Sequence, residues 1–451
     1  MPTRLFVALL FCLTGFVQIV WGAASDRAVY LYAPYHETPR IARLRFDTRT
    51  GNIAPLPGVV VARQPKRGLS LVRHPGGRYL YAFAPFSESE DMNEHPTQMA
   101  WYPNRNRTLV SVLRINPGTG ALTPIQTVIV PAVLGQIAPH PSGRFLLGVG
   151  GRNVVVTLGV AANGFLHLKA RTANVVTFDM FFSGYTMGNY SDWRWTPNGG
   201  FVYALVGSWH SGAGSSKGIY RYRLDKNGVP ARFGAEWFDG RSRAEEDAEW
   251  ENRRVIPRLP VTQDPDWILA FLPDGKTAIV NTRQGAIRVC RMTRGGASLA
   301  AATPAQFLLP IRKHDQYDRG FRHPGVCLSA TRPDFAYVYD ADGCDAPYVA
   351  YHEVAPGRLR RVATFRGAAT RYSQGRILLA DPTGRYLLEV RNGWVKGAKT
   401  SGENTDTHHT RVCVLTVGRG GLPVAVFPSR ELLQGVAWES LVFAAPQSRV
   451  Q

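Results

Sequence analysis

The chain has 451 residues, 45% of them apolar, and a formal net charge of +20 at neutral pH. That length and apolar content allow an ample globular core, either as about three ordinary domains or as one long repeat array. Only eight of the 53 basic residues are Lys, and no run of five or six like charges occurs, so neither a basic tail nor a basic amphipathic helix is encoded.

Residues 1–24 stand apart. Arg4 precedes an apolar run from Leu5 to Val20, and the small residues Gly22, Ala23 and Ala24 follow. This is the plan of a secretory signal, expected as a signal peptide over 1–22, with an uncleaved anchor as the competing reading. The expected location is therefore secreted or periplasmic. The positive charge favours polyanions, but export argues against nucleic acid as a partner, and scattered Arg equally suit a soluble basic surface.

From residue 27 a single phrase recurs: an apolar run, a Pro-centred turn, then a second apolar or aromatic run. The copies are LVRHPGGRYLYAF (71–83), IAPHPSGRFLLGV (137–149), WRWTPNGGFVYAL (193–205), ILAFLPDGKTAIV (268–280), LSATRPDFAYVYD (328–340) and ILLADPTGRYLLE (377–389). A spacing of 49 to 76 residues between turn prolines is the signature of a propeller or similar array. Each copy reads as two strands, the second alternating at period two, as in Tyr79, Tyr81 and Phe83. Third strands follow at 40–46, 109–115, 153–159, 218–224, 286–292, 347–353 and 410–416, and turns such as Asn116–Gly120 lead to a fourth. AVYLYA at 28–33 matches a second strand, and GVAWESLVF at 435–443 can serve as a first strand. The expected fold is all-β: a seven-bladed propeller of four-stranded antiparallel blades over 27–445, one blade built from both chain ends. Such closure removes open sheet edges.

The phrase SVLRINPGTGAL at 111–122, followed by HPSGRFLLGV, resembles the lactonase-type seven-bladed propellers. These include 6-phosphogluconolactonase-like and carboxymuconate-cyclase-like proteins and the related YVTN-repeat secreted propellers. The resemblance spans roughly 27–443 and implies a lactonase-like activity. This chain carries His323–Pro324 where that group often has a Pro-His pair.

Strand parity sorts the connections by face. Those after first and third strands are short, whereas nearly every insertion (84–108, 168–191, 206–217, 234–265, 300–324 and 392–409) follows a second or fourth strand. Long loops gathered on one rigid face mark the expected site, at that mouth of the central channel. The rim there is expected to offer Lys66, Arg67, Gln136, Asp192, Asp264, Asp266, His323, Gln374, Arg376 and Gln434. His323 is the candidate general base, and Arg67 or Arg376 the clamp on a lactone carbonyl or carboxylate, with Asp192 and Asp266 beside them. Lys66, Gln136, Gln374 and Gln434 are candidate substrate contacts, and Tyr190, in the aromatic insertion at 179–195, is a candidate stacking residue. Each of these polar groups equally suits the capping of a strand end.

No cofactor is expected. A Ca²⁺ held by Asp192, Asp264 and Asp266 is an alternative that lacks a compact DxDxDG loop. HExxH and GxxxxGK[ST] are both missing, as is any CxxC. Cys327 and Cys344 are expected to form a disulfide near the long-loop face, and Cys290 and Cys413 to lie buried in third strands of separated blades. Two functions stand: a monomeric secreted hydrolase of a sugar or muconate-type lactone, or a non-enzymatic propeller that recognises a protein, glycan or cell-envelope component. The fold alone does not choose between them.

Overall fold

A computed structural model describes residues 29–35, 38–61, 69–87, 106–150, 154–172, 192–206, 218–236, 265–282, 286–293, 296, 298–301, 306–307, 324–329, 331–340, 348–365, 375–395, 407–418, 420–426, 430–434 and 442–443. For Asp192, Asp266, Arg376 and Gln434 the description extends to the backbone alone.

The chain begins with β1 (Val29–Pro34), β2 (Arg40–Phe46) and β3 (Ile53–Val60), the three outer strands of blade 7. Blade 1 is β4 (Ser70–Arg73), β5 (Tyr79–Ser87), β6 (Asn106–Ile115) and β7 (Leu122–Val130). Blade 2 is β8 (Leu134–Pro139), β9 (Phe145–Gly150), β10 (Val155–Val160) and β11 (Leu166–Thr172). Blade 3 is β12 (Asp192–Trp195), β13 (Val202–Val206), β14 (Gly218–Leu224) and β15 (Pro230–Glu236). Blade 4 is β16 (Pro265–Phe271), β17 (Thr277–Thr282), β18 (Ala286–Thr293) and β19 (Ser298–Ala301), with β20 (Gln306–Phe307) on the other half of β18. Blade 5 is β21 (Pro324–Leu328), β22 (Phe335–Asp340), β23 (Tyr348–Ala355) and β24 (Arg358–Phe365). Blade 6 is β25 (Gly375–Ala380), β26 (Tyr386–Val395), β27 (Thr407–Val417) and β28 (Pro423–Val426), with β29 (Arg430–Gln434) also on β27. Finally β30 (Val442–Phe443) pairs with Leu31 and Tyr32 of β1 and completes blade 7 from inside. The seven-bladed ring and its closure by both ends of the propeller segment are as the sequence predicts.

The core lies between blades. Seven buried clusters occupy the seven interfaces, each drawing on two neighbouring sheets. Leu31, Phe46, Leu388 and Val412 join blades 6 and 7, for example, while Tyr32, Leu71, Leu80 and Leu113 join blades 7 and 1. This follows from the strand pattern: the inner strands, such as β9 and β10, are buried on both faces because each blade is sandwiched by two others, while the outermost, such as β3 and β11, are largely exposed.

Polar clasps reinforce those interfaces at the short-turn end. Tyr32 donates its hydroxyl to the Gly120 carbonyl at 2.8 Å, Tyr203 to Gly296 at 2.8 Å, and Tyr337 to Gly421 at 2.6 Å. Tyr386 reaches the Arg49 carbonyl at 2.9 Å, and Thr157 the Gly228 carbonyl at 2.5 Å. In each case a side chain from one blade grips the turn between third and fourth strands of the next. Gly120 shows why that turn needs glycine. Its φ is +68°, and an added Cβ would stand 2.3 Å from the Tyr30 ring.

The Pro-centred turns are linked in the same direction. His74 Nδ1 accepts the Gly76 N–H at 3.0 Å while Nε2 lies 3.0 Å from the Gly143 carbonyl of blade 2. His140 repeats this with Ser142 N–H at 3.1 Å and the Gly199 carbonyl of blade 3 at 2.9 Å. Only the neutral Nε2–H tautomer satisfies both partners of each ring. Burial lowers both histidine pKa values, and the carbonyl at Nε2 offsets that only in part. A folded pKa below the ordinary 6.5 means that the unfolded chain binds protons first as pH falls, so this contribution to stability is present above about pH 6.5 and is lost below it. The urea midpoint is expected to fall between about pH 7.5 and 5.5, with a shallower slope in a His74→Gln/His140→Gln variant. An unchanged slope would show that the two rings do not titrate with unfolding.

Candidate functional site at the long-loop mouth

All innermost strands of the ring run in one sense, from the long-loop end to the short-turn end, so their first residues share one rim. The structure places Asp192 first in β12, Asp266 second in β16, Arg376 second in β25 and Gln136 third in β8. Four of the expected residues thus stand at the same end of the channel on four different blades. Lys66, Arg67, Tyr190, Asp264, His323 and Gln374 lie outside the described residues, as do most of the long connections.

Gln434 stands elsewhere than expected. It ends β29 opposite His409 of β27, at the outer edge of blade 6, and does not head the innermost strand of blade 7. The reason lies in β27, whose eleven residues outrun β28. Only Leu415–Val417 pair with β28, and β29 supplies partners for the backbone groups around His409–Val412.

Gln136 is half-buried, and its side chain is engaged with the backbone of the next blade. Its Oε1 accepts the Trp193 N–H at 2.9 Å, and its Nε2 donates to the Trp193 carbonyl at 3.3 Å. Trp193 is 2% exposed and stacks on Tyr222 with ring centroids 4.9 Å apart. The amide therefore fixes the chain immediately beside Asp192.

A charged pair that the sequence reading did not single out lies next to Arg376. Glu389 is fully buried and Arg391 is 3% exposed, and the guanidinium holds the carboxylate through Nε at 2.6 Å and Nη2 at 2.5 Å. Two residues apart on β26, they share one face of the strand. Register sets Arg376 opposite Arg391, and Arg391 opposite Arg411, so three arginines cross the blade at the level of the mouth. Opposed residues in such ladders have Cα atoms about 5 Å apart. The signal was present in the sequence: Leu387, Glu389 and Arg391 occupy alternate positions where the equivalent strand of blade 1 has Leu80, Ala82 and Ala84. Ionic residues in an apolar register are the mark of a buried pair.

Cys327 carries a free, buried thiol that donates to the Leu328 carbonyl at 3.7 Å, and burial pushes its pKa up to about 12. Its expected partner, Cys344, lies outside the described residues. Cys290 and Cys413 are buried in β18 and β27, in blades that do not adjoin. Among the described residues no three His, Cys, Asp or Glu side chains converge as metal ligands, and Asp264 of the calcium alternative is not among them.

This seven-bladed ring resembles the solved structures of gluconolactonase-like propellers. The chain is similar to the periplasmic gluconolactonase PpgL of Pseudomonas aeruginosa, at 18% identity and a TM-score of 0.56, covering 93% of this chain and 99% of that one. It is similar also to a candidate 6-phosphogluconolactonase from Bacteroides fragilis, at 14% identity and a TM-score of 0.55, again over 93% and 99%. A protein from Lactobacillus plantarum matches at 14% identity and 0.55 over 92% and 99%. At these identities the likeness is one of fold. No protein-family model and no curated protein matches the chain.

Proposed function

We propose that the protein is a lactonase-like hydrolase of the extracytoplasmic space, opening a sugar or muconate-type lactone at the long-loop mouth. The observation that carries this reading is that Asp192, Asp266 and Arg376 each stand at or next to the start of an innermost strand, with Arg376 opposite Arg391 of the buried Arg391–Glu389 pair. The fold shared with gluconolactonases supports it, and the leader at 1–22, together with the periplasmic location of the Pseudomonas protein, supports export.

In this reading His323 takes a proton from water as the water oxygen attacks the lactone carbonyl carbon. Arg376, with Arg67, stabilises the negative charge that develops on the carbonyl oxygen. The ring C–O bond then breaks, its oxygen takes up a proton, and the product is a hydroxy acid. Asp192 and Asp266 orient substrate hydroxyls, and Lys66, Tyr190 and Gln374 provide further contacts.

A lactone-hydrolysis panel on the mature protein is the test. His323→Ala and Arg376→Ala are each expected to lower kcat/KM on the order of 100-fold. Hydrolysis untouched by both substitutions would retire the catalytic assignment. Failure of the folded protein to open any lactone would leave the binding-propeller reading.

A further inference from the structure

We infer that the opposite end of the propeller, the short-turn face, is a docking surface for an anionic lipid membrane. The repeated phrase places a basic residue directly after the turn glycine in four of its six copies: Arg78, Arg144, Lys276 and Arg385, all exposed. A second exposed basic residue stands near the short-turn end of several third strands, among them Arg114 in blade 1 and Arg291 in blade 4. The two sets adjoin within a blade, since Ile115 N–H bonds to the Arg78 carbonyl and Met292 N–H to that of Lys276. Blade 7 adds exposed Arg45 and Arg49. Positive charge thus recurs on five of the seven blades at this end of the ring.

The acids of this face are fewer among the described residues and are engaged locally. Asp47 accepts the N–H groups of Arg49 and Thr50, Asp225 those of Asn227 and Val229, and Asp274 that of Lys276. Asp381 is fully buried and accepts the Thr383 and Tyr386 N–H groups. Asp334 is paired with Arg332 and His352. Carboxylates here build turns, while the cations point to solvent.

Geometry favours a surface over a strand or a pocket. The turns are short and are cross-linked between blades through His74 and His140, so the ring of cations is rigid before any partner arrives. A broad face ringed by charge matches a plane of anionic headgroups, whereas a nucleic acid backbone is tracked by a groove or stripe. Attraction to such a plane is additive in charges and screened by salt.

The test uses the mature protein with vesicles of phosphatidylglycerol in phosphatidylcholine, read by co-sedimentation. Wild type is expected to bind, to release at high salt and to ignore vesicles of phosphatidylcholine alone. Arg78→Glu/Arg144→Glu/Arg385→Glu is expected to weaken binding on the order of 100-fold. Arg40→Glu/Arg107→Glu/Arg171→Glu makes the same change in net charge at the other end of the blades and is expected to retain binding. Circular dichroism and urea midpoints establish that both variants fold. Equal losses in the two variants would reduce the effect to net charge and overturn the proposal. So would wild type that ignores anionic vesicles, or that binds duplex DNA in preference to them.

Discussion

Replacing Arg391 by Met is expected to destabilise the protein by about 3–5 kcal/mol, measured as a lowered urea midpoint. The size follows from burial. Glu389 has no solvent exposure, and Arg391 holds it through two short contacts, so removing the guanidinium takes the opposite charge from a carboxylate that water cannot reach. An apolar double replacement, Glu389→Leu/Arg391→Leu, is expected to recover much of that loss, because the desolvation cost of both charges disappears together. A loss below about 1 kcal/mol in Arg391→Met would mean that water reaches the carboxylate. The double variant also bears on function: if it folds but loses lactone turnover, the pair serves to hold Arg376 in place.

Gly120→Ala is expected to cost about 2–4 kcal/mol, from two sources that a control can separate. The backbone sits at φ +68°, which disfavours any side chain, and the new methyl would meet the Tyr30 ring at 2.3 Å. Gly275 has nearly the same φ, +70°, but nothing within 4 Å of its would-be Cβ. Gly275→Ala is therefore expected to lose only about 1 kcal/mol, the conformational share. Equal losses at the two positions would remove the clasp from the account.

Local pattern carried most of the architecture. The repeat located β10, β14, β18 and β23 to within about two residues, because each third strand keeps its apolar residues at the spacing of the repeat. The end-to-end blade was legible for the same reason: Val29–Pro34 reads as a second strand lacking its first. Gaps opened wherever distant chain segments decide the outcome. The outer strands of blades 4 and 6 are split into β19 with β20 and β28 with β29, and Gln434 went with the latter, because the unequal length of β27 is invisible in a repeat count. Glu389 and Arg391 pair locally on β26 but passed as part of an apolar run, since their burial depends on the neighbouring blades. His74 and His140 looked like turn residues, and their contacts with Gly143 and Gly199 are legible only once blades are side by side.

Among the thirty described strands, β30 is one of the two shortest and has the largest consequence. Two residues, Val442 and Phe443, pair with β1, and Arg73 of blade 1 binds the Phe443 carbonyl at 2.9 Å. Every other strand is already in the chain before this one emerges from a ribosome or an export channel. Until then blades 1 to 6 form an open arc, and Leu31 and Tyr32 lack the strand that seals them against the centre. Joining the ends carries the largest loop-closure entropy in the molecule, so the ring forms late and all at once. Six blades can thus be in place while the ring is still open, and two residues decide whether it is an arc or a closed circle.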